Sequence, residues 1–261
     1  MLPLRDNIPT RRFPVVTVLI IAINVAMFFG FQQASWSGDG FHVDDRNVVE
    51  YSAIPYEISH PGKHCEGQFV GDTVRDVACE GQPGVSGEAE DQPSTLVTLF
   101  TAMFMHGGLL HIAGNMLFLW IFGNNVEDSM GRPKFVAFYL LGGIAATLAQ
   151  TGIDPDSATP TLGASGAIAA VLGAYALLYP RARVVTLVFI VFFVTVLELP
   201  ALLVLGGWFV LQLLSASSEP LGGGGVAYWA HIGGFVFGLA AIKLFASRAR
   251  DDYVEPRIPV Y

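Results

Sequence analysis

The chain has 261 residues, 52% hydrophobic and 14% charged, with a mean hydropathy of +0.52 and a formal net charge of -8. A soluble domain carries roughly a quarter charged residues, so an ordinary soluble enzyme is excluded. No basic stripe is present that could bind nucleic acid. The charges are clustered: long stretches have none, and most of the acids lie in one polar segment, among them Asp44, Asp45, Glu50, Glu57, Glu80 and Glu90. That is the pattern of membrane spans with one polar insert.

A spanning helix needs about 20 mostly apolar residues. In chain order the candidates are residues 15–31, 109–126, 135–150, 165–179, 197–214 and 226–245, the fourth being the shortest. The first is read as a span rather than a cleaved leader, because no small-x-small cleavage site follows it. Residues 184–196 are apolar and β-branched; they could extend the fifth helix, lie re-entrant, or run extended at the interface, and periodicity does not choose between these. The predicted class is an all-α, polytopic bundle of six transmembrane helices with a long outer first loop. Its divisions are an inner N-terminus (1–14), the first helix (15–31), an outer insert (32–105), a core of five helices (106–245) and an inner tail (246–261).

Six spans put both termini on one side. That side collects Arg5, Arg11, Arg12, Arg132, Lys134, Arg181, Arg183, Lys243, Arg248, Arg250 and Arg257, against Arg46, Lys63 and Arg75 on the other. The positive-inside bias therefore places both termini in the cytoplasm. With no organelle transit signal visible, a bacterial plasma membrane is expected. The insert then faces an oxidising compartment and holds the only cysteines, Cys65 and Cys79. Their short separation favours a disulfide over two free thiols, or over a metal site with the nearby His60 and His64. Residues 123–133 form a cytoplasmic turn. The glycine run 222–225 precedes the last helix as a linker that would let the fifth and sixth helices move.

Polar residues inside spans are costly and usually face the bundle interior. In Gly163-Ala164-Ser165-Gly166 the serine sits near a helix N-terminus, where free N–H groups favour developing negative charge. Its glycines let another backbone approach; taken alone, this is also an ordinary small-residue packing motif. In Ala230-His231-Ile232-Gly233-Gly234, followed by Gly238, a GxxxG face carries His231 one turn ahead of Gly234. If that face packs on the glycines around Ser165, the imidazole reaches the hydroxyl. His111 and Asn115 share one helix face and could both donate to an oxyanion, or could be interhelical glue. His106 and His111 lie about 140° apart on a helix, unlike the i,i+4 pairs that chelate zinc, and no His-Glu-x-x-His occurs. No metal or cofactor is expected. A solute pathway would use the same His111, Asn115 and His231, and would survive loss of Ser165.

The ordered set His106-x4-His111-x3-Asn115-Met116, Gly163-Ala164-Ser165-Gly166 and Ala230-His231-Ile232-Gly233 resembles the rhomboid family of intramembrane serine proteases. The resemblance is strongest over residues 96–245. It implies a serine endopeptidase that cuts transmembrane segments of other proteins in the lipid bilayer. Ser165 would be the nucleophile and His231 its base, with no orienting aspartate. His111, Asn115 and the Ser165 N–H would hold the oxyanion. His106 would order the loop above, Gly163 and Gly166 would support the nucleophile, and Glu127 and Arg132 would tie up the turn after the second span. The chain departs from the family in lacking the Trp-Arg pair of the first outer loop, where Trp36 is the only tryptophan. It also has Ala169 where many relatives stack an aromatic ring on the histidine.

Overall fold

The structure is a computed structural model that describes residues 2–37, 40–71, 73–87, 89, 93–190, 193–218 and 226–246. The expected linker at 222–225 and the inner tail beyond Ala246 lie outside the described residues. Among the described residues, four helices are long and apolar enough to cross a membrane: α5 (Leu109–Met130), α6 (Arg132–Ile153), α8 (Ala201–Ser218) and α9 (Tyr228–Phe245). Shorter apolar helices among the described residues include α1 (Val15–Phe31) and α7 (Ser165–Leu178). At 1.5 Å per residue, the 14 residues of α7 rise only about 21 Å, short of the roughly 30 Å hydrocarbon core.

The insert is not an irregular loop. It holds a small hairpin, β2 (Ser35–Ser37) with β3 (Gly40–His42), the helices α2 (Asp45–Tyr51) and α3 (Pro55–Ser59), a second hairpin, β4 (Cys65–Val70) with β5 (Thr73–Cys79), and α4 (Thr95–Thr101). Cys65 and Cys79 face each other across the second hairpin, joined by a disulfide and fully buried. The Cys65 N–H donates to Glu57 Oε1 at 2.8 Å, tying the hairpin to α3.

Several expected boundaries differ. The helix expected to end at 126 runs on to Met130, and the turn is Gly131 alone, at φ +83°. Residues 197–200 belong to a strand, so α8 starts at Ala201. The described residues of the undecided stretch 184–196 lie in β6 (Arg183–Ile190) and β7 (Phe193–Pro200), which pair antiparallel. β1 (Leu2–Asp6) pairs antiparallel with β6, making a three-stranded sheet in the order β1-β6-β7. The class is therefore mostly helical with small sheets rather than all-α. Alternation on β6 buries Val184, Thr186 and Val188, whereas Phe189, Val194 and Val196 stay exposed on the other face.

The ends of α1 and β1 are fixed by buried polar contacts. Glu127 on α5 accepts from the N–H of Val16 (3.1 Å), the N–H of Thr17 (2.8 Å) and Thr17 Oγ1 (2.8 Å), satisfying donors that the first turn of α1 leaves free. Asp6, closing β1, accepts from Tyr175 Oη at 2.6 Å and Asn125 Nδ2 at 2.7 Å. Burial raises the Asp6 carboxyl from 3.8 to about 6, with those hydrogen bonds opposing the rise. A carboxyl raised in the folded state contributes stability at low pH that is lost as pH climbs through about 6. Asp6→Asn should remove this dependence. From about pH 4 to about pH 8, the wild type should lose roughly 2–3 kcal/mol relative to the variant, seen as a falling thermal midpoint in detergent. Parallel midpoints would show that Asp6 is not protonated in the fold.

Candidate active site

α7 forms the centre of the bundle. Gly166 through Ala176 are all buried, and the sequence Ser-Gly-Ala-Ile-Ala-Ala-Val-Leu-Gly-Ala offers small residues on every side. A helix apolar all round belongs in a core. Its neighbours approach as far as backbone allows. A Cβ on Gly238 of α9 would run into the carbonyl oxygen of Ala170, one on Gly234 into that of Gly166, and one on Gly173 into that of Phe235. On the other side, a Cβ on Gly166 would lie 2.6 Å from the Cβ of Ala146 on α6.

That approach sets the central distance. Ser165 opens α7 and His231 lies in the first turn of α9, with His231 Nε2 2.8 Å from Ser165 Oγ. Because Ser165 is the first helical residue, its N–H and that of Gly166 have no partner within the helix. The loop before it turns at Gly163, at φ +119°, a conformation that L side chains rarely adopt. A Cβ there would also sit 2.8 Å from His111 Nε2 and 3.5 Å from Ser165 Oγ, so Gly163 keeps the space between these groups open.

The insert braces the same loop. Ala53 and Thr161 exchange backbone hydrogen bonds of 3.0 and 2.8 Å, Tyr56 N–H donates to Ser157 O at 3.0 Å, and Gln82 Nε2 donates to Asp156 O at 3.0 Å. Gly163 N–H donates to Ala102 O at 2.8 Å. His106 is buried, edge-on to His111 at 5.1 Å. Its backbone is clamped by both ends of the Gln32 amide, each at 2.9 Å.

His111 Nδ1 accepts from the Gly107 N–H at 3.3 Å, which leaves Nε2 as the protonated nitrogen directed at Gly163. Asn115 is buried, and its Nδ2 has no acceptor among the described residues. His111, Asn115, Ser165 and His231 line one cavity of about 580 Å³, whose apolar wall includes Phe118, Leu172 and Trp208. Cys65 and Cys79 lie apart from it, in the insert, and among the described residues no three His, Cys, Asp or Glu side chains gather as metal ligands would.

Two neighbours of His231 were missed in the sequence. Gln212 Oε1 lies 2.8 Å from His231 Nδ1, and the Trp208 ring flanks the imidazole at 5.8 Å. Both come from α8. Their signal was a lone amide in an otherwise apolar span, with an aromatic residue one turn before it.

Residues 93–248, more than half of the chain, match the Rhomboid domain family. The chain belongs to the rhomboid family. It is 30% identical over 159 residues (58% of the chain) to the mitochondrial Rhomboid protein 1 of Saccharomyces cerevisiae. It is 30% identical over 145 residues (54%) to the mitochondrial Presenilin-associated rhomboid-like protein of Mus musculus. It is 41% identical over 76 residues (29%) to the Rhomboid protease GluP of Bacillus subtilis. These matches cover 42%, 36% and 14% of the relatives' own lengths, under half in each case. This rhomboid is a multi-pass integral membrane protein. Mitochondrial and bacterial proteins both stand among its relatives, so the expected bacterial plasma membrane gains no support from them.

The glycine contacts give a direct test. Gly238→Ala forces α9 away from the backbone of α7 and should cost about 1–3 kcal/mol, lowering the thermal midpoint in detergent. Gly206→Ala and Gly207→Ala, on α8 where a Cβ meets nothing within 4 Å, should leave it unchanged or raise it. Equal effects at the three positions would contradict the packing described.

Proposed function

We propose that this rhomboid is an intramembrane serine endopeptidase that cuts transmembrane segments of other membrane proteins, with Ser165 as nucleophile and His231 as base. The observation that carries the reading is the 2.8 Å hydrogen bond between His231 Nε2 and Ser165 Oγ in a cavity large enough for a peptide side chain. In this reading α1 and α7 span with the four longer helices. The insert of residues 32–105 faces the outer side above the core of 106–245, and both termini are cytoplasmic.

Ser165 Oγ attacks the scissile carbonyl carbon as His231 Nε2 takes its proton. The oxyanion is met by His111 Nε2–H, Asn115 Nδ2–H and the Ser165 N–H, donors already fixed before the reaction. His231 returns the proton to the leaving amine nitrogen as the peptide bond breaks. Water, deprotonated by the same imidazole, then attacks the acyl ester, and the imidazolium returns that proton to Ser165 Oγ as the ester bond breaks and the carboxylic acid product leaves. The short α7 favours this chemistry, since irregular backbone at membrane depth is tolerated only where it lines a cavity or is buried in protein. No step calls for a metal, so chelators should leave the rate unchanged.

The reading predicts that a single-span reporter in liposomes is cut by the wild type and left intact by Ser165→Ala. Asn115→Ala should cut about 10²–10³-fold more slowly. A solute pathway would instead give flux that survives Ser165→Ala. Cleavage by both proteins, or by neither across several reporters, would contradict the endopeptidase reading.

A further inference from the structure

We propose that Gln212 is the positioning residue of the catalytic base: its side-chain carbonyl holds the protonated Nδ1 of His231, so that Nε2 faces Ser165 as a proton acceptor. This inference rests on the endopeptidase reading and adds to it a third member of the machinery, carried by a different helix.

The geometry is paired. The two ring nitrogens of His231 each have one partner, at 2.8 Å, from opposite directions: Ser165 Oγ on Nε2 and Gln212 Oε1 on Nδ1. A neutral imidazole has one N–H and one lone pair. For Nε2 to accept the serine proton, the hydrogen must sit on Nδ1, and the amide oxygen of Gln212 is the acceptor that keeps it there. Trp208 lies one turn earlier on α8, so the same helix face supplies the hydrogen bond and the ring that flanks the imidazole. Ala169 has no ring to offer from α7, and its Cβ faces Gly234 instead. The contacts that orient the base therefore come from α8 rather than from Ala169 of α7.

Gln212 differs from a carboxylate in this place. It fixes the tautomer and offers a dipole to the imidazolium but no counter-charge. The charged state of His231 is otherwise influenced by few groups. Tyr228 lies one turn before it on α9, with ring centroids 6.4 Å apart, and His111 faces it from α5 across the cavity. From α6 the neutral amide of Gln150 binds the Ala230 N–H at 3.3 Å. α7 contributes Ser165, and α8 has no titratable side chain along its length.

The test uses the full chain in liposomes and a single-span reporter, with kcat and KM measured across pH for the wild type, Gln212→Met and Gln212→Glu. Methionine keeps the length of the side chain but cannot accept the Nδ1 hydrogen. The expected result is a fall in kcat of about tenfold or more with KM little changed. Glutamate keeps the acceptor and adds charge, so kcat should be retained and the acidic limb of kcat/KM should move upward by about one pH unit. A Gln212→Met enzyme with wild-type kcat would overturn the proposal. So would a Gln212→Glu enzyme that loses activity with an unmoved pH profile, as a purely structural glutamine would give. If Gln212→Met fails to fold, the Gln212→Glu profile decides alone, and an unshifted limb overturns it. Cleavage by Ser165→Ala would sink the endopeptidase reading itself, whereas failure at Gln212 with a dead Ser165→Ala removes only the positioning role.

Discussion

Helices in a bilayer gain nothing from hiding apolar surface, because lipid is as apolar as leucine; what holds them is close van der Waals contact, which small residues permit. In this rhomboid the contact between α7 and α9 is carried to its limit. At Gly234 and Gly238 the backbone of α9 lies directly against the backbone of α7, with no room for a methyl group. Ser165 and His231 sit at the end of that contact, and the length of an imidazole side chain then closes the gap to 2.8 Å. The pairing of Ser165 with His231 is thus a consequence of interhelical distance. Any side chain at the glycines would widen the spacing between the hydroxyl and the ring.

Two further constraints keep that end of α7 in place. The loop entering Ser165 is stitched to the insert through Ala53 and Thr161, and to the end of α4 through Ala102, so Ser165 is supported from outside the bundle as well as within it. At the opposite end Tyr175 and Asn125 converge on Asp6, joining α7 and α5 to the sheet built on β6. The buried Glu127 fixes the start of α1 against α5. The polar groups buried in the fold lie largely at helix ends and in the cavity. The middle of α7 is filled by Ala, Gly, Val and Leu, whose close packing leaves little freedom for the pair to drift.

Much of this was legible in the chain because polar residues are conspicuous in apolar spans. Ser165, His231, His111 and Asn115 could be singled out by type and spacing, and the glycines beside them announced a close helix contact. The structure brings these four around one cavity. The antiparallel pair of β6 and β7 was not legible, because a short apolar run rich in valine and phenylalanine has the same composition whether it is a buried helix or a strand. Its partner, β1, lies at the other end of the sequence, so no local signal could reveal the pairing. Gln212 escaped notice for a similar reason. One amide has no periodicity, and its relation to His231 depends on how α8 crosses α9. The order within the insert was also hidden: two cysteines suggested a bond, but not that the hairpin they close would lie beside a helix bracing the loop before Ser165.

The account stands on Ser165 being a nucleophile activated by His231 across the α7–α9 contact. The most direct measurement is covalent labelling of the protein in native membranes with a fluorophosphonate probe, the modified residue being mapped by peptide mass spectrometry in the wild type and in His231→Ala. The account predicts a phosphonylated Ser165 in the wild type and none in the variant. An unmodified Ser165 in the wild type, or equal modification in both proteins, would contradict it.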